Sequence, residues 1–191
     1  MLLPAVFYII WDAWFTGIHV WSFNQTYITG VTVFHIPLEE ALFFFVVPYC
    51  CLFIYECIRV YFPALKTTAV SDRLLFSVGI GVLVIAVVFF HKKYSFCTGL
   101  FLAVFIFLLC FLRKKLQFFN SAAFLVSYAI ILLPFMAVNG VLTALPVVIY
   151  NNAENISFRI FSIPVEDIFY GMLLVLMNVL IYERLRSANK S

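Results

Sequence analysis

Ile36-Pro37-Leu38-Glu39-Glu40-Ala41-Leu42-Phe43-Phe44 reads as the start of an apolar helix that opens on a proline and two adjacent acids. Ile163-Pro164-Val165-Glu166-Asp167-Ile168-Phe169-Tyr170 reads the same way 127 residues later. The two helices also close alike, on Ile54-Tyr55-Glu56-Cys57-Ile58-Arg59 and Ile181-Tyr182-Glu183-Arg184-Leu185-Arg186. Seven of the 24 aligned positions are identical without a gap, and four of those are Pro, Glu, Glu and Arg. Shared leucines would mean little in so apolar a chain, whereas shared charges at a fixed offset indicate duplication. The offset extends upstream, aligning Asp12 with Asn139, Thr16 with Thr143, and Phe23-Asn24 with Tyr150-Asn151. The unit is therefore a polar-centred helix, a re-entrant or external loop, then a Pro-Glu-acid helix.

Around these motifs the 191 residues are 65% hydrophobic, 19% aromatic and only 11% charged, with mean hydropathy +1.11. Soluble domains run at about 45–50% apolar and about 25% charged. The gap excludes a soluble globular domain, a disordered chain and a nucleic-acid binder. Six stretches are long enough to cross a bilayer, which takes roughly 20 apolar residues. They are Leu2–Val20, Leu38–Phe62, Leu74–Phe90, Tyr94–Leu112, Ala122–Val141 and Val165–Leu185. The expected fold class is an all-α integral membrane protein with six transmembrane helices as written and two parallel structural repeats. Residues 1–62 form the first repeat, 63–93 a linker holding one span, and 94–191 the second repeat. The acid-bearing spans are the second and sixth crossings and run in the same direction. The repeats are then related by a pseudo-two-fold axis along the membrane normal, and both acid pairs lie near the non-cytoplasmic interface.

Nine basic residues fall on one side, namely Arg59, Lys66, Arg73, Arg113, Lys114, Lys115, Arg184, Arg186 and Lys190; Lys92, Lys93 and Arg159 fall on the other. The richer side is expected to be cytoplasmic. That places both termini of the chain as written in the cytoplasm. The net charge of +3 is thus a topology signal. No Lys or Arg precedes the first apolar run and Asp12 interrupts it, which argues against a signal peptide. The cysteines at 50, 51, 57, 97 and 110 form no CxxC and pair with no nearby histidine, so neither zinc nor a disulfide framework is expected. Gly79-Ile80-Gly81 lies inside a span and lacks the third glycine of a dinucleotide loop. His19, His35 and His91 follow no metal spacing and read as interfacial. Asn24-Gln25-Thr26 and Asn155-Ile156-Ser157 match the glycosylation pattern, a frequent chance match.

Acids in a first turn also serve helix initiation, and proline suits the first helical position. Capping, however, needs one acid, and two adjacent acids repeated in register favour function. Neighbouring residues diverge by about 100° on a helix, so one acid of each pair faces the bundle and the other flanks it. Asp12 sits mid-span, where an ionisable group is costly and a functional candidate; a hydrogen-bonding role like that open to Asn139 fits equally. Asn24 and Asn151 either cap loops or orient the acids. Glu56 with Arg59, and Glu183 with Arg186, read as i,i+3 surface pairs. Phe43, Phe44, Phe169 and Tyr170 lie near the acids, where ring faces stabilise a cation. A carboxyl kept protonated in a low-dielectric site acts as a general acid. Acids among aromatic walls suit protonation of an alkene and containment of a carbocation, and a membrane site suits a hydrocarbon substrate.

At these motifs the chain resembles the small membrane lycopene cyclases, made as two short subunits in some Gram-positive bacteria. These are fused in Bacteroidetes and archaea, and fused to phytoene synthase in fungi. The residues that carry the resemblance begin with Trp11-Asp12-Ala13-Trp14-Phe15-Thr16, Trp21-Ser22-Phe23-Asn24, Tyr27-Ile28-Thr29-Gly30 and Pro37 to Phe44. They continue with Val138-Asn139-Gly140, Tyr150 to Asn155, and Ile163 to Tyr170. The resemblance covers nearly the whole chain and is nearest to the fused form. It implies a redox-neutral isomerisation in which a protonated acid attacks a terminal double bond of lycopene, the cation closes a six-membered ring, and a base removes a proton. By matched position Glu39, Glu40, Glu166 and Asp167 become the acid–base candidates, joined by Asp12. Phe43, Phe44, Phe169, Tyr170, Asn24, Asn139 and Asn151 become the substrate-binding candidates. No metal and no cofactor are expected, and no flavin motif is present. The expected partners are lycopene or a related linear carotenoid, the lipid bilayer, and a second copy or other carotenoid enzymes. Family members usually start with one more helix, and Met1 falls inside the equivalent of their second. The full-length form is therefore expected to have seven spans. A proton-coupled transporter using the acids as a relay is the alternative reading. A membrane prenyltransferase is disfavoured by the lack of an Asp-x-x-x-Asp motif, and a scaffolding subunit is a further class.

Overall fold

The computed structural model describes residues 1–188; Lys190, placed above on the cytoplasmic side, lies outside them. Six helices make the bundle: α1 (Leu2–Gly17), α2 (Leu38–Tyr61), α3 (Ala69–Val88), α4 (Lys93–Phe111), α5 (Ser121–Ala144) and α6 (Val165–Ala188). The last five are long and apolar enough to cross a membrane. α1 has 16 residues, about 24 Å at 1.5 Å per residue. It stops short of the expected Val20 because His19 takes a left-handed φ of 58° and turns the chain out of the helix. The fold is an all-α membrane bundle, with apolar side chains such as Leu3, Ile10, Phe53, Leu133 and Phe111 left on its outer surface.

Short extended segments join the helices at one end of the bundle. They are β1 (Trp21–Phe23), β2 (Thr32–Val33), β3 (Ile36–Pro37), β4 (Val148–Tyr150), β5 (Arg159–Ile160) and β6 (Ile163–Pro164). β2 pairs with β3 and leads into α2; β5 pairs with β6 and leads into α6. The two ladders share one register, Thr32 opposite Pro37 and Arg159 opposite Pro164, again 127 residues apart. Phe34 and Phe161, at matching places in these hairpins, both take positive φ. β1 and β4 form an antiparallel ladder with Trp21 opposite Tyr150, Ser22 opposite Ile149 and Phe23 opposite Val148. At its ends Asn24 N–H donates to Val147 O, and Asn151 N–H donates to Val20 O, both at 2.9 Å. Each bond is the other shifted by the same offset, as in a self-complementary interface.

At the opposite end α2 and α6 are tied crosswise. Tyr55 and Arg59 donate to Glu183, the tyrosine at 2.8 Å, while Arg186 donates to both oxygens of Glu56 at 2.8 and 3.0 Å. Among the described residues the expected i,i+3 pairing survives as a 3.6 Å contact between Arg59 and Glu56. The helices run side by side in parallel, which brings each arginine nearer to the other helix's acid. α3 and α4 pack closely through Gly79 and Gly99; a Cβ on Gly99 would stand 2.7 Å from the Val82 carbonyl oxygen. Small residues at such crossings let backbones approach inside a membrane.

Candidate active site

α2 and α6 each begin where a hairpin hands over to a helix, so Pro37 and Pro164 set where the acids start. The first acid of each pair turns back to the loop. Glu39 is exposed and accepts from Thr29 N–H at 2.7 Å. Glu166 is buried and accepts from Ile156 N–H at 2.7 Å and from the Ser95 hydroxyl at 2.6 Å. Thr29 and Ile156 are themselves 127 residues apart. The second acids, Glu40 and Asp167, line a cavity of about 300 Å³ together with Asp12. One residue of rotation, about 100°, separates the acid that pins a loop from the acid that faces the cavity.

Asp12, buried at 2% exposure, comes to this cavity from α1. Its Oδ2 has no hydrogen-bond partner among the described residues. Asp167 is held by three donors. The Tyr94 hydroxyl reaches Oδ1 at 2.6 Å, and the Tyr150 hydroxyl and Asn139 Nδ2 reach Oδ2 at 2.8 and 3.2 Å. Burial first, and then Asp167, push the Tyr150 hydroxyl well above the ordinary tyrosine range, so it remains a donor. Trp21, Tyr94, Tyr150 and Tyr170 wall this end of the cavity. The Trp21 ring lies 5.1 Å from Tyr94, 6.1 Å from Tyr150 and 6.0 Å from Tyr170, all edge-on. Such a cluster presents ring faces and edges around one space, a setting that favours a cation.

Away from the acids the cavity continues as an apolar shaft between α2, α5 and α6, past Val47, Ile54, Ile131, Phe135 and Leu174. From Glu40 to Ile54 along α2 is about 21 Å of helix. Pro134 and Gly171 also line it, so a missing N–H and a missing side chain leave room on facing helices. The space is mostly apolar, with its carboxyls gathered at one end and Cys50, Cys51 and Tyr128 also on its walls.

Of the residues singled out in the sequence, Asp12, Glu40, Asp167, Phe43, Tyr170 and Asn139 come together around the cavity. Glu39, Glu166, Phe44, Phe169, Asn24 and Asn151 do not line it. Phe44 is buried against the Tyr8 ring at 5.5 Å. Phe169 packs at the edge of the hydrophobic core. Asn24 and Asn151 accept from the N–H two residues on, Thr26 and Ala153, at 3.0 Å each; these are loop-forming Asx turns. Asn155 is buried and accepts from Ser157 N–H at 2.8 Å, so this Asn-x-Ser pattern also serves a turn. Sequence reasoning missed Tyr94 and Trp21 as site residues. It met Tyr150 as the partner of Phe23 in the alignment and within a stretch that carries the resemblance, but gave it no site role; the polar-for-apolar difference was the available signal. Among the described residues no group of His, Cys, Asp and Glu is arranged to hold a metal.

Comparison with known families adds one finding. The family model described as lycopene cyclase matches residues 1–58 and 91–185. The match passes over 59–90, the stretch that contains α3. No curated protein and no solved structure matches the chain.

Proposed function

The chain belongs to the lycopene cyclase family, and on that premise we propose that it closes the linear ends of lycopene into β-rings by redox-neutral acid–base isomerisation. The observation that supports this most is the cavity, where Asp12, Glu40 and Asp167 meet at the polar end of an aromatic-walled apolar shaft. A carboxylic acid there gives its proton to the terminal double bond, whose electron pair forms the new C–H bond. The next double bond attacks the resulting cation, forms the ring C–C bond and moves the charge onto the ring. A carboxylate then takes a ring proton and the C–H pair becomes the ring double bond. The proton gained equals the proton lost, so product and substrate are isomers. Trp21, Tyr94, Tyr150 and Tyr170 suit the cationic stage, and the shaft suits the polyene behind the reacting end. Of the acid–base candidates, Asp12, Glu40 and Asp167 take part in the chemistry; Glu39 and Glu166 hold the loops that roof the cavity.

The two-half organisation belongs to the same proposal: residues 1–62 and 94–191 as repeats, joined by a linker through 93. Its support is the recurrence at one offset of hairpin register, Asx turns, loop-to-acid bonds and the crosswise α2–α6 ties. The end carrying Arg59 and Arg186 is the cytoplasmic one on the charge distribution. Expression in lycopene-producing bacteria tests the activity. Conversion of red lycopene to yellow-orange β-carotene, identified by chromatography, is expected. Unchanged lycopene with the folded protein in the membrane would overturn the proposal, and accumulation of ε-rings would overturn the ring assignment.

A further inference from the structure

Glu40 and Asp167 occupy equivalent positions and face one cavity, yet their surroundings differ. Asp167 accepts hydrogen bonds from Tyr94, Tyr150 and Asn139. The positions equivalent to Tyr150 and Asn139 hold Phe23 and Asp12, which also line the cavity. A phenyl ring donates nothing, and a carboxyl replaces the amide donor. Glu40 accordingly makes no side-chain hydrogen bond among the described residues. Asp12 lies within electrostatic reach of Glu40 and beside the Trp21 indole, and its buried Oδ2 has no hydrogen-bond partner among the described residues. One half thus supplies a carboxyl locked by three donors, and the other supplies two carboxyls with free oxygens.

We infer that this difference divides the two proton transfers of the cyclisation proposed above: Glu40, with Asp12 beside it, delivers the proton, and Asp167 removes one. The inference rests on the cyclase reading. Three donors aimed at Asp167 leave its oxygens to act as acceptors, which is the task of a base. An acid must turn its own O–H toward the substrate, and Glu40 is bound to nothing that prevents it. Glu40 passes H⁺ to the terminal alkene carbon and becomes a carboxylate; Asp167 takes H⁺ from the ring carbon and becomes the acid. Between turnovers Asp167 gives its proton up to water and Glu40 takes one from water, so each ring carries a solvent proton and no electron is exchanged. Tyr94, Tyr150 and Asn139 are positioning residues that act through Asp167.

The test supplies lycopene in deuterium oxide to membranes containing the full chain or a variant, and reads the carotenoids by mass spectrometry. Wild-type protein should form product with one deuterium per ring. Glu40→Gln should return unlabelled lycopene. Asp167→Asn should form no rings, but its lycopene should carry deuterium, because a cation that cannot lose its ring proton reverts. Tyr150→Phe should lower kcat about tenfold with KM little changed and raise the label in unreacted lycopene; it reports even where Asp167→Asn fails to accumulate. Labelled lycopene from Glu40→Gln, or unlabelled lycopene from both Asp167→Asn and Tyr150→Phe, would overturn the division of roles. Absence of rings from the wild-type protein would overturn the cyclase reading itself, which keeps the two failures distinct.

Discussion

Glu39 and Glu40 are adjacent and chemically alike, yet they meet different worlds. Glu39 accepts from a loop N–H in the open, and Glu40 points into the cavity. A glutamine at position 39 keeps the accepting oxygen, so Glu39→Gln should hold turnover within about threefold of wild type. Removing a general acid costs on the order of 10²–10⁴-fold, the expected loss for Glu40→Gln. A timed membrane assay with chromatographic product analysis decides, and equal effects would reject the assignment. In the second pair Glu166 is buried, and both Ser95 and Ile156 depend on it. Glu166→Ala strands those donors, at a cost of about 1–3 kcal/mol for each buried group left unsatisfied. Its lost activity should therefore follow lost folded protein in the membrane. The acid pairs themselves were readable as charges in register. Tyr94 was not, since a tyrosine at the start of an apolar helix is commonplace in membrane chains.

At the scale of elements, α4 starts without a side-chain cap of its own. Glu154, from the loop after β4, supplies one: its carboxylate accepts from Lys93 N–H at 3.2 Å and pairs with Lys93 Nζ at 2.7 Å, and its carbonyl accepts from Tyr94 N–H at 2.9 Å. That cap fixes Tyr94 and Ser95, which in turn hold Asp167 and Glu166. The Lys93 hydrogen bond keeps the Glu154 carboxyl below the usual carboxylate range. A group whose folded value is lowered stabilises above its unfolded value, and that contribution fades as pH falls through the folded one. The thermal midpoint of the solubilised protein should therefore fall more steeply with acidification in wild type than in Glu154→Gln. Parallel slopes would show that the cap is not what acid removes. The α3–α4 crossing makes a separate prediction. Gly99→Ala forces a methyl against the Val82 carbonyl, and overpacking of this kind costs about 1–3 kcal/mol. A lower midpoint with unchanged turnover in the surviving protein is expected. The helices were legible from hydropathy to within five residues, the largest difference being at α3, which starts at Ala69 and not at Leu74, where the expected span begins. The β1–β4 ladder was not, because three-residue strands paired across more than a hundred residues carry no local period.

For the whole molecule, the α2–α6 ties at the end away from the cavity set how the acid-bearing helices stand beside each other. Glu56→Arg and Arg186→Glu should each lower the amount of folded protein, and the double exchange should recover part of it. Partly exposed pairs of this kind are worth about 1 kcal/mol or less, so the recovery read by the melting midpoint should be modest. No recovery would mean that Arg59 alone satisfies both acids. Composition and spacing were enough to establish a membrane protein, the places of its helices and the offset of 127, because transfer into lipid and helical periodicity are properties of consecutive residues. They also showed which acids deserved attention. Packing then chose among those acids. Which side of a helix faces a cavity depends on rotation about its axis, and that rotation is set by contacts from distant parts of the chain: Tyr94 from α4, Asn139 from α5, Tyr150 from the strand that pairs with Trp21. Segments that share an offset of 127 are unequal where they meet at the cavity, for there one offers Tyr150 and Asn139 and the other Phe23 and Asp12.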